Sequence, residues 1–180
     1  ILGGTMRESN KLRKIYPNSN SFWGALPIVM GKATTYLALA MAILLIILGI
    51  VMPLFGIPVR SSILSTMVFM VPFVLSIVFM GLCLLGFLRR REDAIMLIMY
   101  TSLPSVMLTG FSWPTVAMPQ WLNVFSYIIP TTLGAKGFVS ITQRGASLST
   151  ILPYWAGMWG LCLFYLVLAG FSIRRIINSD

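Results

Sequence analysis

Long apolar runs alternate with short basic patches along this chain. Four stretches carry no charged residue: Thr34–Ile57 (24 residues), Ile63–Leu88 (26), Ala94–Phe111 (18) and Leu152–Ile173 (22). At about 1.5 Å of rise per residue, about 20 residues cross a hydrocarbon core about 30 Å thick. The first, second and fourth runs reach that length; the third is marginal unless Ser112 and Trp113 extend it. Inside lipid every backbone N–H and C=O must be paired, and the two-residue alternation of a barrel strand is absent. The runs therefore predict helices. Pro72 and Pro104 fall inside the second and third runs, where each removes a helical hydrogen bond and predicts a kink.

The connections differ. Pro58–Ser62 and Arg89–Asp93 are short, so the first three helices are expected to pack as antiparallel neighbours. Ser112–Ile151 is long, yet neither charge-rich, with only Lys136 and Arg144, nor of low complexity. Within it, Pro119 suits a first helical turn. Trp121, Val124, Phe125 and Ile128 then recur at helical spacing on one side. Gln120, Asn123 and Ser126 take another side, with Gln120 and Asn123 expected to reach water. Pro130 breaks the pattern, and Leu133, Phe138 and Ile141 form a second short one. The segment predicts two short helices that dip into the outer leaflet or lie along it. Trp113, Trp121, Phe125 and Ile128 are candidates for a lid over a substrate exit. Trp113 and Tyr127 equally suit an aromatic belt that anchors the bundle at the water–lipid boundary, and both readings stay open.

Composition removes the soluble alternatives. Hydrophobic residues make up 58% of the 180, charged residues only 9%, against about 25% in a soluble domain, and mean hydropathy is +0.91. Disordered chains are poor in large apolar residues. The fold class expected is all-α: a polytopic helical membrane protein of four transmembrane helices, with two short outer-leaflet helices before the last span.

Net charge is +9, which membrane topology explains without nucleic acid. Arg7, Lys11, Arg13, Lys14, Lys32, Arg89, Arg90, Arg91, Arg174 and Arg175 fall on one side if all four runs span; Arg60, Lys136 and Arg144 fall on the other. Basic residues concentrate on the cytoplasmic side, so both ends of a multi-pass protein are expected in the cytoplasm. Membrane lipid is the expected surrounding partner, and the Arg89–Asp93 patch is compatible with binding anionic lipid. The chain opens on Ile1, and the apolar Ile1–Gly4 reads as the tail of an earlier segment, giving the expectation of a C-terminal part of a longer protein.

Little catalytic chemistry is available. The chain has no histidine, and its two cysteines, Cys83 and Cys162, lie in apolar runs as expected buried thiols. Gly24–Thr34 resembles a phosphate loop, but six residues separate Gly24 from Gly31 and Ala33 stands where Ser or Thr is required. The four acidic residues, Glu8, Glu92, Asp93 and Asp180, all lie outside the apolar runs, so none sits at the depth where ion-coupled transporters place carboxylates. Neither an enzyme nor a self-powered transporter is expected; any active movement would draw energy from a partner. Glu8, Leu12, Ile15 and Tyr16, before Pro17, form a candidate docking patch of apolar residues with a charged rim. Such a patch equally fits a basic amphipathic stretch on the membrane surface.

Certain residues resemble a known family. Arg7-Glu8 followed by Gly31-Lys32 at the mouth of a span is similar to ABC-2 type transporter permeases. So is the block Gly110-Phe111, Pro114, Met118-Pro119-Gln120-Trp121-Leu122 and Ser126 to Pro130. There are departures: Ser9-Asn10-Lys11-Leu12-Arg13-Lys14 replaces a common Gly-Thr-Leu-Glu, and Gly134, Lys136 and Gly137 stand where many members carry an acidic residue or arginine. The resemblance implies the second half of a permease of about six spans, pairing with a cytoplasmic ABC ATPase subunit and a second permease copy or paralogue. No cofactor is implied on this chain, since ATP would be bound by the partner subunit. Residues 1–32 would be the cytoplasmic coupling segment, 33–112 three transmembrane helices, 113–150 the extracytoplasmic re-entrant or interfacial helices, 151–173 the last span and 174–180 a cytoplasmic tail. The function implied is export of an amphipathic substrate such as a drug, lipid or lipid-linked glycan. A non-transporting anchoring subunit, a channel or a secondary transporter are the alternatives.

Overall fold

A chain this apolar must close its backbone hydrogen bonds within each segment, and the computed structural model is helical throughout its regular elements. It describes residues 22–57, 60–85, 91–110, 118–145 and 148–179. The elements are α1 (Phe22–Ile46), continued by a π-helical turn Ile47–Val51 and Met52–Leu54; α2 (Ile63–Leu85); α3 (Arg91–Leu108); α4 (Gln120–Ser126); α5 (Pro130–Thr142); and α6 (Leu148–Ser179). Val29–Leu54, Ile63–Leu84 and Thr150–Ile173 are each long and apolar enough to cross a membrane. The protein is an all-α polytopic membrane protein.

Helix bounds differ from the charge-free runs in α1, α3 and α6. α1 starts at Phe22, well before Thr34, and takes in Pro27 and Lys32. A lysine near a span's end can keep its stem in the bundle while its ammonium reaches polar surroundings. Residues 22–32, assigned from the sequence to the coupling segment, are thus helical and continuous with the first span; the rest of that segment lies outside the described residues. α3 begins within the basic Arg89–Asp93 patch, where Glu92 and Asp93 occupy the first turn and favour a helix N-terminus electrostatically. It stops at Leu108, because Gly110 takes φ 82° and its N–H turns back to Met107 O at 3.3 Å. Its apolar part, Ile95–Leu108, is about 21 Å long, shorter than the hydrocarbon core, and it does not run on toward Trp113. α6 continues to Ser179, so Arg174 and Arg175 lie on the helix itself.

α1, α2 and α6 form the bundle. Val29 and Ala33 of α1 share one buried cluster with Phe79 and Leu82 of α2 and Tyr165 and Ile173 of α6. Met41 and Leu44 pack on a second cluster containing Phe69, Met70, Ile151 and Met158. α2 and α6 therefore run parallel and α1 antiparallel to both. Two serines cross the α2–α6 interface: Ser76 Oγ donates to Met158 O (3.1 Å) and Ser172 Oγ to Cys83 O (2.7 Å).

Candidate functional site

The segment between α3 and α6 inserts into the bundle. Pro119 caps α4 with an extended ψ of 142°, and Pro130 occupies the first turn of α5, where a missing N–H costs nothing. The two helices meet at 85°. The bend between them is pinned to the last span by Tyr165 Oη, which donates to Ile128 O at 3.0 Å. It is braced by Lys136, whose Nζ lies 4.8 Å from the Tyr127 ring centroid, a cation–π contact.

α5 climbs from that bend antiparallel to α2. Gly134 faces Phe73 and Gly137 faces Phe69, each so closely that a methyl group on the glycine would overlap the ring. At the top, Thr142 O accepts from the Arg60 N–H at 2.8 Å. The 13 residues of α5 put the bend about 20 Å below that point, beside Tyr165, past the midpoint of the Thr150–Ile173 helix. The expectation of two short helices is met, and α5 packs lengthwise between α2 and α6.

Of the polar side of α4, Asn123 departs from the expectation that it reaches water, while the aromatic side faces outward, one of the two directions expected for it, bundle or lipid. Gln120 is exposed as expected, but Ser126 is fully buried with its Oγ donating to Asn123 O at 2.6 Å, and Asn123 Oδ1 is buried without a partner. Trp121 (64% exposed), Phe125 (60%) and Ile128 (47%) project away from this chain. The hydrophobic effect ordering this face in water is absent where lipid surrounds it. Those three share one apolar edge and line neither of the cavities below. Glu8, Leu12, Ile15, Tyr16 and Trp113 lie outside the described residues.

Two cavities flank α5. One, of about 640 Å³, lies between the hairpin and α6, lined by Tyr127, Leu133, Tyr154, Gly157, Gly160 and Leu161 among others. The other, of about 480 Å³, lies at the Arg60 end between α2, the end of α5 and α6, with Ser62, Val68, Ile141 and Trp155 in its walls. Both are mostly apolar with a few hydroxyls, a lining that receives amphipathic molecules. Among the described residues no group of His, Cys, Asp and Glu could hold a metal. Cys83 and Cys162 are free, buried thiols. Gly24–Thr34 is part of α1, so it makes no phosphate loop.

Sequence reasoning missed the glycine–phenylalanine contacts and the Tyr165 anchor. The Gly134-x-x-Gly137 spacing, which leaves one helix side bare, was the available signal for the first. Nothing local announces the second.

A profile of the family described as "ABC-2 family transporter protein" matches residues 12–171. The probable multidrug ABC transporter permease YbhS of Escherichia coli K12 is 31% identical over 117 residues, 64% of this chain and 30% of that protein. The probable multidrug ABC transporter permease YbhR of the same strain is 27% identical over 159 residues, 86% of this chain and 40% of that protein. ABC transporter G family member 20 of Dictyostelium discoideum is 28% identical over 123 residues, 67% of this chain and 17% of that protein. The chain thus spans less than half the length of these relatives. No solved structure matches it significantly.

Proposed function

This chain belongs to the ABC-2 family of transporter proteins, and from that premise we propose that it forms part of the permease subunit of an ATP-driven exporter moving an amphipathic substrate, such as a drug, a lipid or a lipid-linked glycan, out of the cytoplasm. The observation that carries this reading is the deep hairpin α4–α5, wedged between α2 and the last span with an apolar cavity beside it. A hairpin that ends inside the membrane and is held at its bend by one hydroxyl and one cation–π contact can move as a unit when the spans tilt. Such rigid-body rearrangement is how alternating access works.

In this reading the protein is not itself an enzyme. ATP binds and is hydrolysed on a separate cytoplasmic ABC ATPase subunit, and no nucleic acid takes part. Force enters through Glu8, Leu12, Ile15 and Tyr16. Trp113, Trp121, Phe125 and Ile128 close the exit. A second permease copy or paralogue completes the pathway; the exposed apolar flank of α3 supports such a partner. The ten-to-three bias of basic residues supports cytoplasmic placement of both ends in a bacterial inner membrane.

The test is purification of the full chain with its ATPase in lipid, followed by ATP hydrolysis with and without candidate amphipaths. Stimulation that disappears in Leu12→Asp/Tyr16→Asp, with membrane insertion intact, is the expected result. A chain that copurifies with no ATPase, or a variant that still couples hydrolysis to substrate, would remove the proposal's coupling step.

A further inference from the structure

The Arg60 end of the molecule combines two features that transport does not by itself require. One is the cavity between α2 and α6, walled on one side by Ser62, Ser65 and Phe69 and on the other by Ile151, Leu152 and Trp155. Ser62 stands just before α2 and Phe69 seven residues further on, so the cavity is about 10 Å deep along α2. Its polar groups are gathered at the shallow end. There Ser65 N–H donates to Ser62 Oγ (3.1 Å); Ser61 and Thr66, which do not line the cavity, bond each other at 2.8 Å. Below them the walls are apolar, and Leu64, Val68 and Leu152 are exposed on the outer face of the bundle, so the cavity opens sideways.

The other feature is charge. Arg60 lies two residues before Ser62, and Arg144 lies three residues after Ile141, another wall residue. The Arg60 N–H bonds Thr142 O at 2.8 Å, and the Arg60 side chain lies where a methyl group added to Gly145 would meet it at 3.5 Å. The two arginines are therefore held at the same rim, and both are exposed. No acidic residue occurs between Asp93 and Asp180, so α4, α5 and the first turns of α6 bring no carboxylate to that rim. Two cations above a sideways-opening apolar slot are the complement of one lipid: a phosphate headgroup with a hydrocarbon chain beneath it.

We propose that this slot is a binding site for an anionic phospholipid, whose phosphate is held by Arg60 and Arg144 and whose acyl chain lies along α2 between Val68 and Trp155. The inference requires only that the chain spans a membrane. It does not rest on the export reading, and failure of either leaves the other standing.

Trp155 in the wall is a built-in reporter. In the full chain with Trp23, Trp113, Trp121 and Trp159 replaced by Phe, Trp155 fluorescence is followed in vesicles of brominated phosphatidylglycerol and of brominated phosphatidylcholine. Two surface cations bias occupancy toward the anionic lipid on the order of tenfold, so quenching by phosphatidylglycerol should saturate at a far lower mole fraction. In Arg60→Gln/Arg144→Gln the preference should vanish, while quenching by phosphatidylcholine stays, which also certifies the fold. Native mass spectrometry of the chain with all five tryptophans should show the same preference, lost in the same variant. Equal quenching by both lipids, a preference surviving the double substitution, or no quenching by either lipid because a protein segment or second copy covers the slot, would each overturn the proposal.

Discussion

α2 and α3 are neighbours in sequence, both apolar, and each carries one internal proline, Pro72 and Pro104. Their fates differ. α2 buries Phe69, Met70, Phe79 and Leu82 against the rest of the chain. No described side chain of α3 is buried, and Tyr100 is 80% exposed; its main neighbours are the hairpin helices. Hydropathy places a helix in the membrane but does not say what it packs against, because lipid is as apolar as leucine. What separates the two is fit and hydrogen bonding. α2 presents phenylalanines to two bare glycines of α5 and sends Ser76 across to α6. Two hydroxyls of α3 bond within their own helix: Thr101 Oγ1 donates to Leu97 O (2.6 Å) and Ser102 Oγ to Met99 O (3.0 Å).

The sharpest way to break this contrast is at the glycines. Gly134→Ala forces the Phe73 ring to move, and overpacking of this kind should cost about 3 kcal/mol and release the hairpin. Gly81→Ala, with nothing near its added methyl, should instead gain about 0.5–1 kcal/mol from helix propensity. Thermal unfolding in detergent and proteolysis of the 118–145 segment read both. If Phe73→Ala fails to rescue Gly134→Ala, the close approach is not what docks α5.

Next comes the packed ring itself. Phe79 is 2% exposed, and Phe79→Ala should cost about 2–3 kcal/mol, less than in a water-soluble core because the transfer term largely falls away in lipid. Tyr100→Ala should cost almost nothing in the isolated chain. A large loss of transport at Tyr100 with unchanged stability would show that another chain covers α3.

The serines sharpen the comparison further. Ser172→Ala removes the bond to Cys83 O and should cost about 0.6–1 kcal/mol. Ser102→Ala removes a bond local to α3 and should shift the unfolding temperature little. Equal shifts would mean that the crossing bonds add nothing to helix pairing.

Much of this architecture was legible in the sequence, for reasons the residues make plain. Spans announce themselves by length, so α2 begins at Ile63, where its run begins. The aromatic period and Pro130 gave α4 and α5 before the last span. The early start of α1 was hidden because Lys32 interrupts the charge-free run, although Val29 and Ala33 are fully buried beside it. The end of α3 was hidden because the left-handed turn at Gly110 lies inside an otherwise apolar stretch. At the candidate site, periodicity named the aromatic positions of α4 and left bundle or lipid as their direction, because an apolar side chain suits both. The contacts that hold α5, Gly134 with Phe73 and Ile128 with Tyr165, join residues far apart in sequence; the glycine spacing marks one side of the first, and the second leaves no local trace.

The smallest expected effect tests the hairpin from within. Thr132 and Thr142 stand near opposite ends of α5, and both are fully buried. Thr142 Oγ1 donates to Phe138 O at 2.7 Å, whereas Thr132 Oγ1 has no partner. A buried hydroxyl without a partner has lost its hydration and gained nothing in return, so replacing it with a methyl group of the same shape removes a cost. Thr132→Val should therefore be neutral or stabilising by a few tenths of a kcal/mol, while Thr142→Val should be destabilising by about 0.5–1 kcal/mol. Paired unfolding measurements in the same detergent decide the sign. A Thr132→Val variant that is destabilised as much as Thr142→Val would show that this hydroxyl, at the deep end of the hairpin, bonds a water in the folded protein. One that is stable yet transports poorly would show that it meets the transported molecule, and would place the path at the bend instead of along the exposed edge of α4.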